Sequence, residues 1–60
     1  GAIADFNKSI TYDPNDGTYY LARGYSKISI NDKVGACRDF SKAGELELKE
    51  AYDAINKNCN

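Results

Sequence analysis

The chain repeats itself with a period of 34 residues, and this period constrains its fold more than any local feature does. Residues 1–8 read GAIADFNK and residues 35–42 read GACRDFSK, with five of the eight positions identical. A period of about 34 residues is typical of helix-turn-helix arrays, in which each unit buries its apolar face against the next. We therefore expect an all-α fold.

The size and charge of the chain limit what it can do. Its 60 residues form one domain at most, and a chain of this length buries only about 60% of the surface that its unfolded form exposes. The formal net charge is −1, with Lys and Arg scattered among Asp and Glu, which argues against nucleic acid as a partner because that role needs a basic surface. No apolar run exceeds four residues, so we expect no membrane span.

Apolar spacing and capping residues predict four helices, over residues 2–12, 18–30, 33–46 and 49–58. Pro14 ends the first helix, because the residue before a proline is pushed out of the helical region. Asp16 and Asp32 are the expected N-caps of the second and third helices, and Asn31 is expected to end the second in the left-handed conformation. Gly24, inside the second helix, indicates that another backbone approaches closely there.

The residues at these positions resemble the tetratricopeptide repeat family. Ala36 and Phe40 form the A-x-x-x-F element of that repeat, and Ala2 and Phe6 repeat it one period earlier. Further matches are the small residue Ala43, the repeat-ending Pro14, the aromatic Tyr20 and the glycine Gly24. The resemblance covers almost the whole chain, and it implies an α-solenoid of antiparallel helix-turn-helix repeats.

The chain departs from the family pattern at four positions. Arg23 stands where the family prefers Leu, Lys27 where it prefers an aromatic residue, and Ser9 where it prefers Ala. Leu48 replaces the proline that would end the second copy, so the last segment is expected to cap the array. The resemblance thus implies three parts, which are the second helix of an incomplete repeat (1–14), a linker with one complete repeat (15–48) and a capping helix (49–60). The chain is then expected to begin in mid-repeat.

In this family the first helix of each repeat lines a concave groove that binds an extended peptide or a partner helix. Carried onto this chain, the resemblance assigns six groove positions, Asn15, Thr18, Leu21, Tyr25, Ile28 and Ser29. Leu21 and Ile28 would supply apolar contact, and Tyr25 would supply a ring with a hydroxyl. Some family members grip a carboxyl-terminal peptide with Lys, Arg and Asn side chains in the groove. Leu21 and Tyr25 occupy two of those places here, so a hydrophobic or mixed peptide is the better match. The alternative is that these residues pack on a neighbouring repeat or cap.

A second interpretation of the chain is self-association. Ile3, Phe6 and Ile10 lie on one face of the first predicted helix and have no evident partner within the chain. An uncovered apolar stripe favours a homodimer, helix exchange or contact with further repeats.

The two cysteines leave two possibilities open. In an antiparallel helix pair, Cys37 near the start of the third helix and Cys59 after the fourth are neighbours, and a disulfide between them would indicate an oxidising compartment. Alternatively, Cys37 is a buried small residue and Cys59 a terminal thiol.

We expect the chain to have no catalytic activity and to bind no metal or cofactor. The chain has no His, and its two cysteines lack the paired spacing of a zinc site. Asp5 with Lys8 and Asp39 with Lys42 have the three-residue spacing of surface ion pairs, so these acidic residues are interpreted as solvated helix faces rather than as acid–base catalysts.

Overall fold

The computed structural model describes residues 1–59, which form four α-helices and no strand. The helices are α1 (Ala2–Tyr12), α2 (Gly17–Ser29), α3 (Lys33–Glu45) and α4 (Glu50–Asn58). The predicted all-α class is confirmed, α1 has its predicted bounds, and the other helices differ from prediction by one residue at one or both ends. Only three or four residues connect successive helices, so neighbouring helices run antiparallel.

The aspartates predicted as caps fix the beginnings of α2 and α3. Asp16 Oδ1 accepts a hydrogen bond from the Thr18 amide at 3.0 Å, and Asp32 Oδ1 accepts one from the Gly35 amide at 3.0 Å. Each carboxylate satisfies an amide that has no partner within its helix, and its charge lies at the positive end of the helix dipole. The two caps therefore set where these helices start.

The C-terminal ends of α2 and α3 share one backbone motif. Asn31 follows α2 with a φ of 63°, as the sequence predicted, and Glu47 follows α3 with a φ of 66°. In both places the amide of the next residue donates to the carbonyl five residues earlier, at 2.8 Å after α2 and 3.2 Å after α3. This pattern is the Schellman motif, which usually places glycine at the left-handed position. Glu47 is therefore the strained member of the pair.

We expect the substitution Glu47→Gly to raise the free energy of unfolding by about 0.5 to 1 kcal/mol. Glycine adopts a positive φ without the steric cost that a side chain incurs, and the change removes a negative charge from the negative end of the α3 dipole. Asn31→Gly is the matched control, and its gain should be smaller because asparagine tolerates the left-handed region. Urea unfolding followed by circular dichroism measures both, and an equal effect of the two substitutions would contradict the argument.

α3 is the central helix of the fold, since it packs against both α2 and α4 whereas α1 packs mainly against α2. The buried apolar residues are Ala36, Phe40, Ala43, Ala51 and Ala54. Phe40 is the one large side chain that is completely enclosed within the described range. The Cα trace measures 30 × 25 × 13 Å, and its 13 Å thickness leaves room for at most two layers of helices. A molecule this thin encloses few side chains.

α2 lies close against α3 at Gly24, as the sequence predicted. A Cβ atom at this position would lie 2.5 Å from Cε1 of Phe40 and 3.2 Å from the carbonyl oxygen of Ala36. The first distance is far below an ordinary carbon–carbon contact, and the ring it involves is fully buried. Only a residue without a Cβ atom allows α2 to rest against the Phe40 ring.

We expect Gly24→Ala to lower the free energy of unfolding by about 2 kcal/mol. Alanine is the better helix former by about 1 kcal/mol, but the overpacking against Phe40 outweighs that gain. Gly44→Ala is the control, because a Cβ atom there would lie at an ordinary 3.4 Å from the Tyr52 ring. It should stabilise the protein by up to about 1 kcal/mol. Thermal or urea unfolding of the two variants should therefore give opposite signs.

Candidate binding surface

α2 presents an exposed strip, which we call the binding strip, made of Thr18, Tyr25 and Ser29. These residues are seven and four positions apart, so a helix with 3.6 residues per turn places them on one side. All three are exposed. Asn15, which was assigned to the same groove, is exposed in the connection that precedes α2. Four of the six assigned residues are therefore open to a ligand.

The two aliphatic residues assigned to the groove serve the core as well. Leu21 and Ile28 are half-buried and pack against the cluster formed by Ala36, Phe40 and Ala54. Their apolar surface is shared between the interior and the edge of the binding strip, so a ligand would meet only part of each side chain.

Tyr25 is the largest side chain of the binding strip. Its ring meets the buried Phe40 ring edge to face, with 5.1 Å between centroids and 63° between planes. This geometry is favourable for aromatic pairs, and it restricts the position of the tyrosine ring. Even so, 46% of Tyr25 remains exposed. The strip therefore offers a large aromatic side chain that one neighbour already holds in place.

An ion-pair network around the buried Asp39 joins α2 to α3. Arg23 donates from Nε to Asp39 Oδ2 at 2.9 Å and from Nη2 to Asp39 Oδ1 at 2.6 Å. Lys27 Nζ lies 3.0 Å from Asp39 Oδ2. The third guanidinium nitrogen, Nη1, donates to Asn7 Oδ1 of α1 at 2.8 Å, and the guanidinium carbon lies 5.6 Å from the centre of the Tyr20 ring. Arg23 thus connects three helices through one planar group.

The network keeps Asp39 ionised. Burial alone would raise the pKa of Asp39, but the hydrogen bonds from Arg23 and Lys27 outweigh it, and the pKa lies below its ordinary value. The same hydrogen bond from Arg23 to Asp39 raises the pKa of Arg23 above its already high ordinary value. A bidentate pair between a guanidinium and a carboxylate is the strongest common form of protein ion pair.

The interpretation of Asp39 as a solvated residue beside Lys42 is wrong. Only 4% of Asp39 is exposed, and its partners come from α2, whereas Lys42 is exposed. The signal that could have revealed this lay in two departures from the family pattern. Arg23 and Lys27 are one turn apart, so two cations lie on one side of α2. Two cations that pack against a neighbouring helix indicate an anion on that helix.

A disulfide joins Cys37 of α3 to Cys59, the residue that follows α4, with their Cα atoms 5.9 Å apart. The sequence left open whether the two cysteines are bonded to each other, and the structure shows that they are. Cys59 also packs against the core cluster around Phe40. The bond ties the end of the last helix to the start of the central one, because α3 and α4 run antiparallel.

The stripe on α1 is less exposed than the sequence indicated. Ile3, Phe6 and Ile10 are each half-buried, so the expectation that they have no partner within the chain is wrong. α1 packs mainly against α2, and Ile3 shares an open concavity with Ser29 and Ile30 at the end of that helix. No residue of α1 is fully buried, however. Part of the apolar surface of α1 therefore remains accessible.

Within residues 1–59, no helix is long and apolar enough to cross a membrane. The same range contains no group of three or more His, Cys, Asp or Glu side chains placed to hold a metal ion. Comparison with protein-family models, curated proteins and solved structures finds no significant match to this chain.

Proposed function

We propose that the chain is a protein-interaction module of the tetratricopeptide repeat type, in which the binding strip of α2 holds a peptide or helix of a partner protein. The 34-residue period and the four short antiparallel helices support this assignment. The observation that carries it is the state of Tyr25, which is 46% exposed while its ring is held by Phe40. An ordered aromatic side chain loses little entropy when a ligand binds, and tyrosine is enriched in binding hot spots.

The chemistry of the binding strip favours a ligand of mixed apolar and uncharged polar character. Thr18, Tyr25 and Ser29 each carry a hydroxyl, and none of them carries a charge at neutral pH. The exposed parts of Leu21 and Ile28 add an apolar edge. The nearby cations of α2 are engaged with Asp39, so an anionic peptide end would find no free charge on the strip.

The experiment that tests this proposal is selection of peptides from a random display library on the immobilised, oxidised protein. We expect the enriched peptides to perturb the amide resonances of the binding strip in NMR titrations. Tyr25→Ala should weaken the selected peptides at least tenfold, which corresponds to about 1.4 kcal/mol. Tyr12→Ala is the control, since Tyr12 is a tyrosine that is 91% exposed at the end of α1, and it should leave the affinity unchanged.

A second pair of variants separates loss of binding from loss of folding, because Tyr25 also packs on Phe40. Thr18→Glu and Ser29→Lys place charges on the strip at helix ends whose dipoles favour them, so the fold should be retained. Each should still reduce binding. Enriched peptides that bind the folded variants unchanged, or whose perturbations map to another surface, would show that the strip is not the binding site.

A further inference from the structure

An open concavity lies beside the disulfide that joins α3 to the end of α4. Both half-cystines reach its surface, and the lining residues are Lys33, Val34, Cys37, Arg38, Ser41 and Cys59. Cys37 and Cys59 are each half-buried, so the bond is not enclosed by the core. The disulfide is therefore accessible to a small molecule that enters this concavity.

The charge beside the disulfide is positive. Lys33 and Arg38 flank Cys37 on α3, four positions before it and one after, and both are exposed. Lys33 also lines an adjoining concavity with Lys57, at the end of α4. None of the lining residues of the two concavities is acidic. In the described part of the chain, none of these three cations forms an ion pair. A small anion is therefore attracted to the disulfide.

We propose that this concavity is a thiol–disulfide exchange site, at which a small anionic thiol attacks Cys59 Sγ and becomes covalently attached there. The thiolate sulfur forms a new S–S bond with Cys59, the Cys37–Cys59 bond breaks, and its electron pair leaves on Cys37 Sγ. One disulfide replaces another, so the step needs no further oxidant or reductant. The exchange frees the end of α4 from α3. The proposal is independent of the binding strip of α2.

The surroundings of the two sulfur atoms favour Cys37 as the leaving thiolate. Neighbouring cations stabilise a thiolate, and Lys33 and Arg38 are the neighbours of Cys37 on α3. Cys59 instead follows the last turn of α4, at the negative end of that helix dipole. The carbonyl oxygen of Asn58 lies 4.0 Å from Cys37 Sγ, but it carries only a partial charge. Because the better stabilised thiolate departs faster, the incoming sulfur is expected on Cys59.

The test compares mercaptoacetate and cysteamine, two small thiols whose other groups carry opposite charges, on the oxidised protein. The rate of bond opening, followed by alkylation and mass spectrometry, should rise linearly with thiol concentration because the folded chain is attacked. The ratio of the mercaptoacetate rate constant to the cysteamine rate constant should fall at least about fivefold in the double variant Lys33→Glu with Arg38→Glu, at about 0.1 M ionic strength. Both positions are exposed, and a glutamate at the first residue of α3 suits the helix dipole, so the fold should be retained.

The matched control is Lys8→Glu with Lys49→Glu. It changes the net charge equally but away from the disulfide, on α1 and at the start of α4. Its rate ratio should stay within about twofold of the parent ratio, because charges beyond about 10 Å are screened. Equal ratios in the two double variants would overturn the proposal. So would a rate that stops rising with thiol concentration at a value set by global unfolding.

Peptide mapping identifies the sulfur that is attacked. When the reaction is quenched early with an alkylating reagent, we expect mercaptoacetate on Cys59 and the alkyl group on Cys37. The reverse distribution would contradict Cys37 as the leaving thiolate and overturn the assignment of Cys59 as the site of attachment.

Discussion

Removal of the disulfide between Cys37 and Cys59 is expected to lower the free energy of unfolding by about 3 kcal/mol. The two residues are 22 positions apart, and closing a loop of this length restricts the unfolded chain by roughly that amount. A domain of 60 residues has a total stability of only a few kcal/mol, so the reduced protein should be largely unfolded in moderate urea. Urea unfolding followed by circular dichroism, with and without a reductant, measures the difference.

The control for this prediction is the double variant Cys37→Ala and Cys59→Ala. Its urea midpoint should be insensitive to reductant and should lie near that of the reduced parent protein. A thiol count on the denatured parent without reductant should find no free thiol, because both cysteines are paired. If the oxidised parent and the double variant unfold at the same urea concentration, the bond contributes nothing to stability.

Replacement of Asp39 by alanine is also expected to lower the free energy of unfolding by about 3 kcal/mol. The substitution leaves Arg23 and Lys27 close together without their shared anion, and only about a fifth of each of these side chains is exposed to water. Asp53→Ala is the control, because Asp53 is an exposed acidic residue of α4, and its effect should stay within about 0.5 kcal/mol. Equal effects of the two substitutions on the urea midpoint would show that the network contributes little.

The Asp39 carboxylate should make the free energy of unfolding depend on pH. The pKa of Asp39 is lower in the folded chain than in the unfolded chain, because burial is outweighed by the hydrogen bonds from Arg23 and Lys27. The contribution of Asp39 to stability is therefore fully present above the ordinary Asp pKa of about 4, and it is lost as the pH falls through the lower folded pKa. Asp39→Asn cannot ionise, so its stability should fall less steeply with acidification below about pH 5. Parallel pH profiles for the two proteins would contradict this assignment.

Sequence reasoning predicted the features that depend on a few neighbouring residues. The caps at Asp16 and Asp32 and the left-handed turn at Asn31 follow from local hydrogen bonding and sterics, and they are where they were expected. The sequence predicted a close approach at Gly24 because glycine destabilises the interior of a helix and is therefore expected there only where a side chain would not fit. The structure supplies the partner, Phe40, which the sequence did not identify.

Features that depend on two distant parts of the chain were predicted less well. Asp39 was placed on a solvated face because its pairing with Arg23 spans 16 positions and leaves no local pattern. All three residues of the binding strip were among the assigned groove positions and are exposed, whereas the assigned Leu21 and Ile28 are half-buried. Leu21 is half-buried because residues of α3 and α4 pack beside it. The apolar spacing within α2 does not predict how closely those two helices approach.

The composition of the core determines which mutations can harm this protein. Of the five buried apolar residues, four are alanines, and Phe40 is the exception. Alanine has no rotamers to lose on folding, so this core is ordered at little entropic cost, but it holds the helices at short separations. At the four alanine positions, damage therefore comes from added atoms rather than from deleted ones. An alanine scan would leave four of these five positions unchanged, whereas substitution by serine, valine or leucine would reveal them.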